Sequence, residues 1–200
     1  MPSQSDWTHA ADELADLFGF AGHRLRDAEM FADHLLPAVL PVVQYLEVAL
    51  GHFNARTQQA CNAVSKLTSA LHWSHNSNYT DQDFLHGYAY CELIGPRGHL
   101  QHRELALGLL LLQPAITYPA HAHPALETYV VLSGLAQWRQ GEHRWRERGP
   151  GDVITHTSMK PHAMRTNSEP LLAAYLWHDH LDESARLVNP ARPDTGVRPS

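Results

Sequence analysis

Residues 118–134 read YPAHAHPALETYVVLSG, and the fold turns on why two histidines, a glutamate and two tyrosines interrupt an otherwise apolar run. Side chains two apart share one face of a strand, so His121 and His123 point together, as do Glu127, Tyr129 and Val131. Two imidazoles and a carboxylate converging from neighbouring segments supply the nitrogen and oxygen donors that suit one divalent transition metal ion: Zn, Fe, Mn, Ni or Co. A site that leaves positions open for substrate needs a third histidine. His162, at the end of the stretch PGDVITHTSMKPH, is the best placed to fold back over the first segment.

Outward from this core, the text has two periods. Before it, apolar residues recur at helical spacing. SDWTHAADELADLFG offers Ser5 or Asp6 as an N-cap and closes on Gly19. A second helical pattern runs from Asp27 to Leu50 through Met30, Phe31, His34, Leu35 and Val39, with Pro37 and Pro41 predicting a kink or two shorter helices. A third, with Asn54 as cap, places Ala60, Val64, Leu67 and Leu71 on one face. SHNSNYTDQDFLHG then breaks the pattern and reads as a polar loop. Its histidines, with His72 and His86, show no recurring ligand spacing and do not predict a second metal cluster.

After Gly87 short strands alternate with turn signals: YAYCELIG, LALGLLLLQP, ETYVVLSG, LAQWRQ, HRWRER, DVITHT and PLLAAYLWHD. Many short strands at regular spacing predict a mainly β sandwich or barrel. The expected division is an α-helical N-terminal region over residues 1–75, a β-barrel over 76–188, and a proline-rich, disordered tail over 189–200.

Composition narrows the function. A formal net charge of −6 and the absence of a long basic stripe argue against a nucleic-acid partner. Two cysteines without CxxC spacing fit a reducing, cytoplasmic location. The acidic first residues do not resemble a signal peptide, and LALGLLLLQP is too short to cross a membrane. Sixteen histidines raise the expectation of a metal, which spacing alone can locate.

The spacing H-x-H-x3-E-x6-G, His121 to Gly134, resembles the first motif of the cupin superfamily. Gly151, Asp152, Pro161 and His162 match the second. The resemblance implies a cupin barrel, a double-stranded β-helix or jelly roll, around residues 90–180. A narrower likeness follows from Y-P-x-H-x-H-x3-E-x-Y-x4-G, then P-H-A-M and Y-L-W: the chain resembles the cupin-type dimethylsulfoniopropionate (DMSP) lyases, including in its length and helical N-terminal part. That resemblance implies a carbon–sulfur lyase that cleaves DMSP to dimethyl sulfide and acrylate by metal-assisted β-elimination. It implies His121, His123, Glu127 and His162 around the metal, Tyr129 beside it as a candidate base, and Tyr118 and Trp177 lining the substrate pocket. Cupin relatives often dimerise, so a homodimer is an expectation of the same kind.

The chemistry suits these residue types. A proton next to a carboxylate is a poor acid, and a divalent cation on that carboxylate stabilises the charge left behind. A phenol titrates near pH ~10 unless a cation beside it favours the phenolate. A sulfonium group is attracted to aromatic faces, and Tyr118, Trp177, Tyr175 or Trp138 can supply them. Several alternatives stand at this level. His121 is either a ligand or a substrate contact, and either Tyr129 or Tyr118 is the base. Tyr129 could equally be a packing residue, Tyr118 a strand-end packing residue, and Trp177 a barrel-filling aromatic. His156 and His178 read as structural or exposed. Another cupin enzyme, such as a dioxygenase or isomerase, or a non-catalytic binding module would carry the same ligand motif.

Overall fold

The computed structural model describes residues 2–19, 29–30 and 35–188. Helix α1, Gln4–Leu17, starts in a capping box. The cap is Ser3, not Ser5 or Asp6. The Ser3 hydroxyl accepts from the Asp6 N–H, and the Asp6 carboxylate reaches back to the Ser3 N–H at 2.8 Å. Gly19, at φ +76°, follows the helix as expected. Of the helical pattern predicted from Asp27 to Leu50, residues 27–28 and 31–34 lie outside the described residues, Glu29–Met30 form a short strand instead, and 35–40 are not helical. Its described end forms a 3-10 turn over Pro41–Tyr45 and a single-turn helix α2, Leu46–Ala49.

Helix α3, Gln58–Ser65, is shorter than its apolar periodicity, and its cap position is Thr57. Asn54 instead closes the preceding turn, its amide oxygen accepting from the N–H groups of Arg56 and Thr57. Ala60, Val64, Leu67 and Leu71 are all buried. The segment predicted as loop contains helix α4, Gln82–His86, capped by Asp81. Among the described residues no helix is long and apolar enough to cross a membrane. The tail expected to be disordered, 189–200, lies outside the described residues.

Among the described residues there are twelve strands, in chain order: β1 Glu29–Met30, β2 Tyr88–Ile94, β3 Leu100–Gln101, β4 Leu105–Leu112, β5 Thr117–Ala122, β6 Leu126–Ser133, β7 Ala136–Gln140, β8 Arg146–Arg148, β9 Val153–His156, β10 His162–Thr166, β11 Leu171–His178 and β12 Arg186–Leu187. They form a seven-stranded sheet in the order β1-β3-β2-β4-β11-β6-β9 and a five-stranded sheet in the order β12-β5-β10-β7-β8. The architecture is the double-stranded β-helix of the cupins.

Strand β4 shows why the helices are needed. Every one of its residues is buried. Leu105, Leu107, Leu109 and Leu111 pack with α1 and α3 in one apolar cluster, while Leu110 and Leu112 join a second cluster inside the barrel. A strand covered on both faces reads as an unbroken apolar run. On β11, Leu172, Ala174 and Leu176 face the helices, whereas Leu171, Ala173 and Tyr175 face inward. The helical layer thus seals the outside of the large sheet and leaves the polar chemistry to its inside.

Gly134 ends β6 at φ +82°, and an added Cβ would collide with the Pro170 carbonyl. Gly134→Ala is expected to lower stability by about 2–3 kcal/mol. At Gly141 the same change meets only the flexible Lys160 side chain, so a loss of about 1 kcal/mol is expected. Urea unfolding of the two variants beside the wild type checks the ranking.

Candidate metal centre and cavity

The two sheets contribute different donors. Glu127 and Tyr129 lie on the inward face of β6 in the large sheet. His121 sits on β5, His123 just past its end, and His162 at the start of β10, all in the small sheet or its margin. Register aligns them: His162 pairs with His121 on β5, and Glu127 lies between Trp177 of β11 and His156 of β9. All these side chains except Trp177, which is partly exposed, are buried.

The donor atoms of His123, Glu127 and His162 all lie within 4.8 Å of one another. Glu127 Oε2 is 2.9 Å from His123 Nε2 and 3.2 Å from His162 Nε2. Each imidazole is aimed by a nearby carbonyl. Nδ1 of His121 lies 2.9 Å from the Pro119 oxygen, that of His123 3.1 Å from Ala125, and that of His162 2.9 Å from Lys160. A carbonyl only accepts, so each Nδ1 carries a proton and Nε2 is the atom left free to face the other donors.

Two Nε2 atoms and a carboxylate oxygen facing one another in a buried site call for positive charge among them, as protons or as a metal ion. Proton sharing meets this poorly, because two imidazolium rings would stand 5.2 Å apart, and His162 Nε2 has no hydrogen-bond partner. The group fits a metal ion by its donor chemistry. Burial pushes Glu127 up, but its contacts with His123 and His162 outweigh this and hold the carboxyl well below the usual range. It is therefore an anion ready to bind.

Trp177 touches two of the three donors. Its indole Nε1–H donates to Glu127 Oε1 at 2.5 Å, and its ring stacks on His123 at 4.2 Å. It also lines the cavity beside the cluster, together with Glu127, Tyr118, Tyr129 and Tyr175. His121 stands apart from the three-donor group: it stacks on Tyr118 at 4.0 Å and meets the His162 ring edge-on at 4.1 Å. Burial first, then the negative charge of Glu127, pushes the Tyr129 phenol well above its ordinary value. Burial does the same to Tyr118.

His156, read from the sequence as structural or exposed, is buried, stacked on His162 at 3.9 Å, and neither ring nitrogen has a hydrogen-bond partner. Its signal was the alternation of β9, which puts it opposite Glu127. Tyr79, from the polar segment after α3, is buried with its hydroxyl 2.9 Å from that of Tyr118. Nothing in the loop composition announced an inward tyrosine. Asn76 and Asn78 fasten this segment over the cavity by donating to the Ala185 carbonyl at 2.9 and 3.0 Å. Among the described residues, no second group of metal donors accompanies the loop histidines.

With this geometry in hand, likeness to known proteins is informative. The model of the dimethylsulfoniopropionate lyase family matches residues 23–173. Dimethylsulfoniopropionate lyase DddQ of Ruegeria pomeroyi is 38% identical over 109 residues, covering 54% of this chain and 54% of that protein. The putative dimethylsulfoniopropionate lyase DddL of Cereibacter sphaeroides is 32% identical over 145 residues, covering 70% of this chain and 60% of that protein. The chain thus spans between half and two thirds of the curated relatives it matches. The crystal structure of DMSP lyase DddQ from Ruegeria pomeroyi superposes with a TM-score of 0.80 at 26% identity, over 95% of this chain and 100% of that one.

The donor geometry predicts unequal effects on metal binding. His123→Ala and His162→Ala are expected to weaken affinity by more than about ten-fold, and His121→Ala by much less, in a competition titration with a chromogenic chelator. A pH effect follows as well. Burial, then the neighbouring His162, lowers His156 to about 3 and His121 well below its ordinary value. Folded rings with depressed pKa values resist protonation that the unfolded chain accepts. Their contribution is therefore complete above about pH 6.5 and is lost as pH falls toward the folded values. Melting temperatures of metal-free protein should decline steadily between about pH 7 and about pH 5.

Proposed function

This chain belongs to the dimethylsulfoniopropionate lyase family, and we propose that it is itself a metal-dependent carbon–sulfur lyase that converts DMSP to dimethyl sulfide and acrylate. The observation that carries the proposal is the buried convergence of His123, Glu127 and His162, with Glu127 lining a cavity that Tyr118, Tyr129 and Trp177 also line. One divalent transition metal ion (Zn, Fe, Mn, Ni or Co) is the proposed cofactor, with His121 beside the three donors. When bound, it would polarise the substrate carboxylate and stabilise charge developing there.

The chain's own groups supply the rest. Tyr129 is the proposed base: two residues from Glu127 on the same strand face, it is held at the cluster by the same backbone. It takes the proton from the carbon next to the carboxylate. That electron pair becomes the new carbon–carbon double bond, and the carbon–sulfur pair leaves on sulfur as neutral dimethyl sulfide. No strong acid is needed for a neutral leaving group. Without a cation nearby the phenol stays protonated, since burial and Glu127 both push it up. The base is thereby tied to an occupied centre. Tyr118 shares its hydroxyl with Tyr79 and is the proposed cavity wall opposite.

A cytoplasmic location is supported by two buried free thiols, Cys61 and Cys91, the first pushed up to about 12 by burial and so inert. The homodimer expected of cupins belongs to the same proposal and is read by light scattering.

Metal-loaded protein given DMSP should release dimethyl sulfide and acrylate in equal amounts. Tyr129→Phe should cut kcat by about 100-fold or more while metal content is kept. Full activity in that variant would transfer the base to Tyr118, and no product with any of the five metals would sink the lyase reading.

A further inference from the structure

We propose that the cavity has a second, cation-binding end built on Glu92, which with Tyr90 and Tyr175 seats the sulfonium group of the substrate. The inference rests on the lyase reading for the identity of the ligand, and on the following geometry for the subsite itself. Alternation on β2 turns Tyr88, Tyr90 and Glu92 toward the barrel interior, while Ala89, Cys91 and Leu93 join the helical core. Register then sets Glu92 in one row with Gly108 of β4, Tyr175 of β11 and Tyr129 of β6. In the adjoining row stand Ala106, Trp177 and Glu127.

Glu92 and Glu127 thus line the same cavity from positions three strand spacings apart, about 14 Å of sheet. The residues between them on β4 are small. At Gly108 a Cβ would lie 2.5 Å from the Tyr175 hydroxyl, so glycine makes room for that ring. The result is a trough lined by the small Ala106, with aromatic walls and a carboxylate toward each end.

An acid this deeply buried is rare unless partnered. The partner of Glu92 is Arg97, whose backbone N–H donates to Oε1 at 2.6 Å and whose Nε lies 3.5 Å from Oε2. The guanidinium is half exposed and its Nη2 donates to the Leu181 carbonyl at 3.0 Å. Arg97 lines the cavity as well, but its half-exposed charge is partly screened by solvent, so the Glu92 carboxylate is the more deeply buried charge of the pair. Burial pushes the Glu92 carboxyl up, and the contacts from Arg97 offset this only in part.

A sulfonium carries no proton to donate, so it can be recognised only by charge and by aromatic faces. A carboxylate already hydrogen-bonded by another residue loses nothing by facing such a cation. The sulfur keeps most of its charge until the carbon–sulfur bond is broken, so the attraction is felt by the bound substrate and the transition state alike. Binding of that kind acts on KM rather than kcat.

The test compares metal-loaded wild type, Glu92→Gln and Arg97→Met. Glu92→Gln is expected to raise KM for DMSP and Ki for trimethylsulfonium by about ten-fold, with kcat and the Ki of uncharged-sulfur 3-(methylthio)propionate within about two-fold. Arg97→Met keeps the backbone N–H on Oε1 but removes the competing cation and its Nε contact, so it should tighten trimethylsulfonium rather than weaken it. Equal weakening in both variants would mean that the pair merely holds the turn after β2, and would overturn the proposal. So would unchanged constants in Glu92→Gln, or a loss confined to kcat. Calorimetric titration of wild type with trimethylsulfonium separates the two readings. Binding without DMSP turnover sinks the lyase reading and leaves the subsite standing; absence of binding beside normal turnover sinks the subsite alone. Should Glu92→Gln fail to fold, this titration and Arg97→Met decide the matter.

Discussion

Two imidazole nitrogens, one 2.9 Å and the other 3.2 Å from the same carboxylate oxygen, cannot stay together in a dry interior without positive charge among them. Most of the molecule can be understood as what it takes to hold that arrangement. Glu127 comes from the seven-stranded sheet, His123 and His162 from the five-stranded sheet or its edge, so the electrostatic demand is placed across the seam between the sheets. Closing the barrel and assembling the donors are one event. The helical layer contributes from the far side: by covering the outer face of β4 and β11 it lets those strands be apolar throughout and rigid beneath the site.

The parts legible in the sequence are those whose information is short-range. His123, Glu127 and His162 fall on a fixed spacing within two strands and a turn, and that spacing survives any detail of packing. The apolar run of β4 likewise declares a strand covered on both faces. What was not legible depends on partners far along the chain. His156 looks like one histidine among sixteen until β9 is paired with β6 and it faces Glu127. Tyr79 sits in a stretch of Asn, Ser and Asp that reads as solvated, yet it reaches Tyr118 across 39 residues. The cap of α1 was missed by two or three residues because Asp6 satisfies the rule for a cap as well as for its third-residue partner. Strands β5 and β10 were obscured in the reading by the prolines in and beside the histidine motifs.

The aromatic lining has its own logic. Phenols in this cavity are driven toward their neutral form by burial, so the enclosure is a poor place for a base until a cation is present. The same enclosure strengthens every charge that remains, so the two carboxylates that line the cavity, Glu92 and Glu127, act on a molecule inside it more strongly than they would in water.

The three histidines are each aimed by a carbonyl two residues away: Pro119 for His121, Ala125 for His123, Lys160 for His162. Ring direction is therefore written into tripeptides, not into the packing of distant side chains. A scaffold with that property is modular. Its wall residues can be exchanged to admit differently shaped molecules while the donors keep their heading, so a lineage built on it can explore new substrates without first rebuilding its metal chemistry.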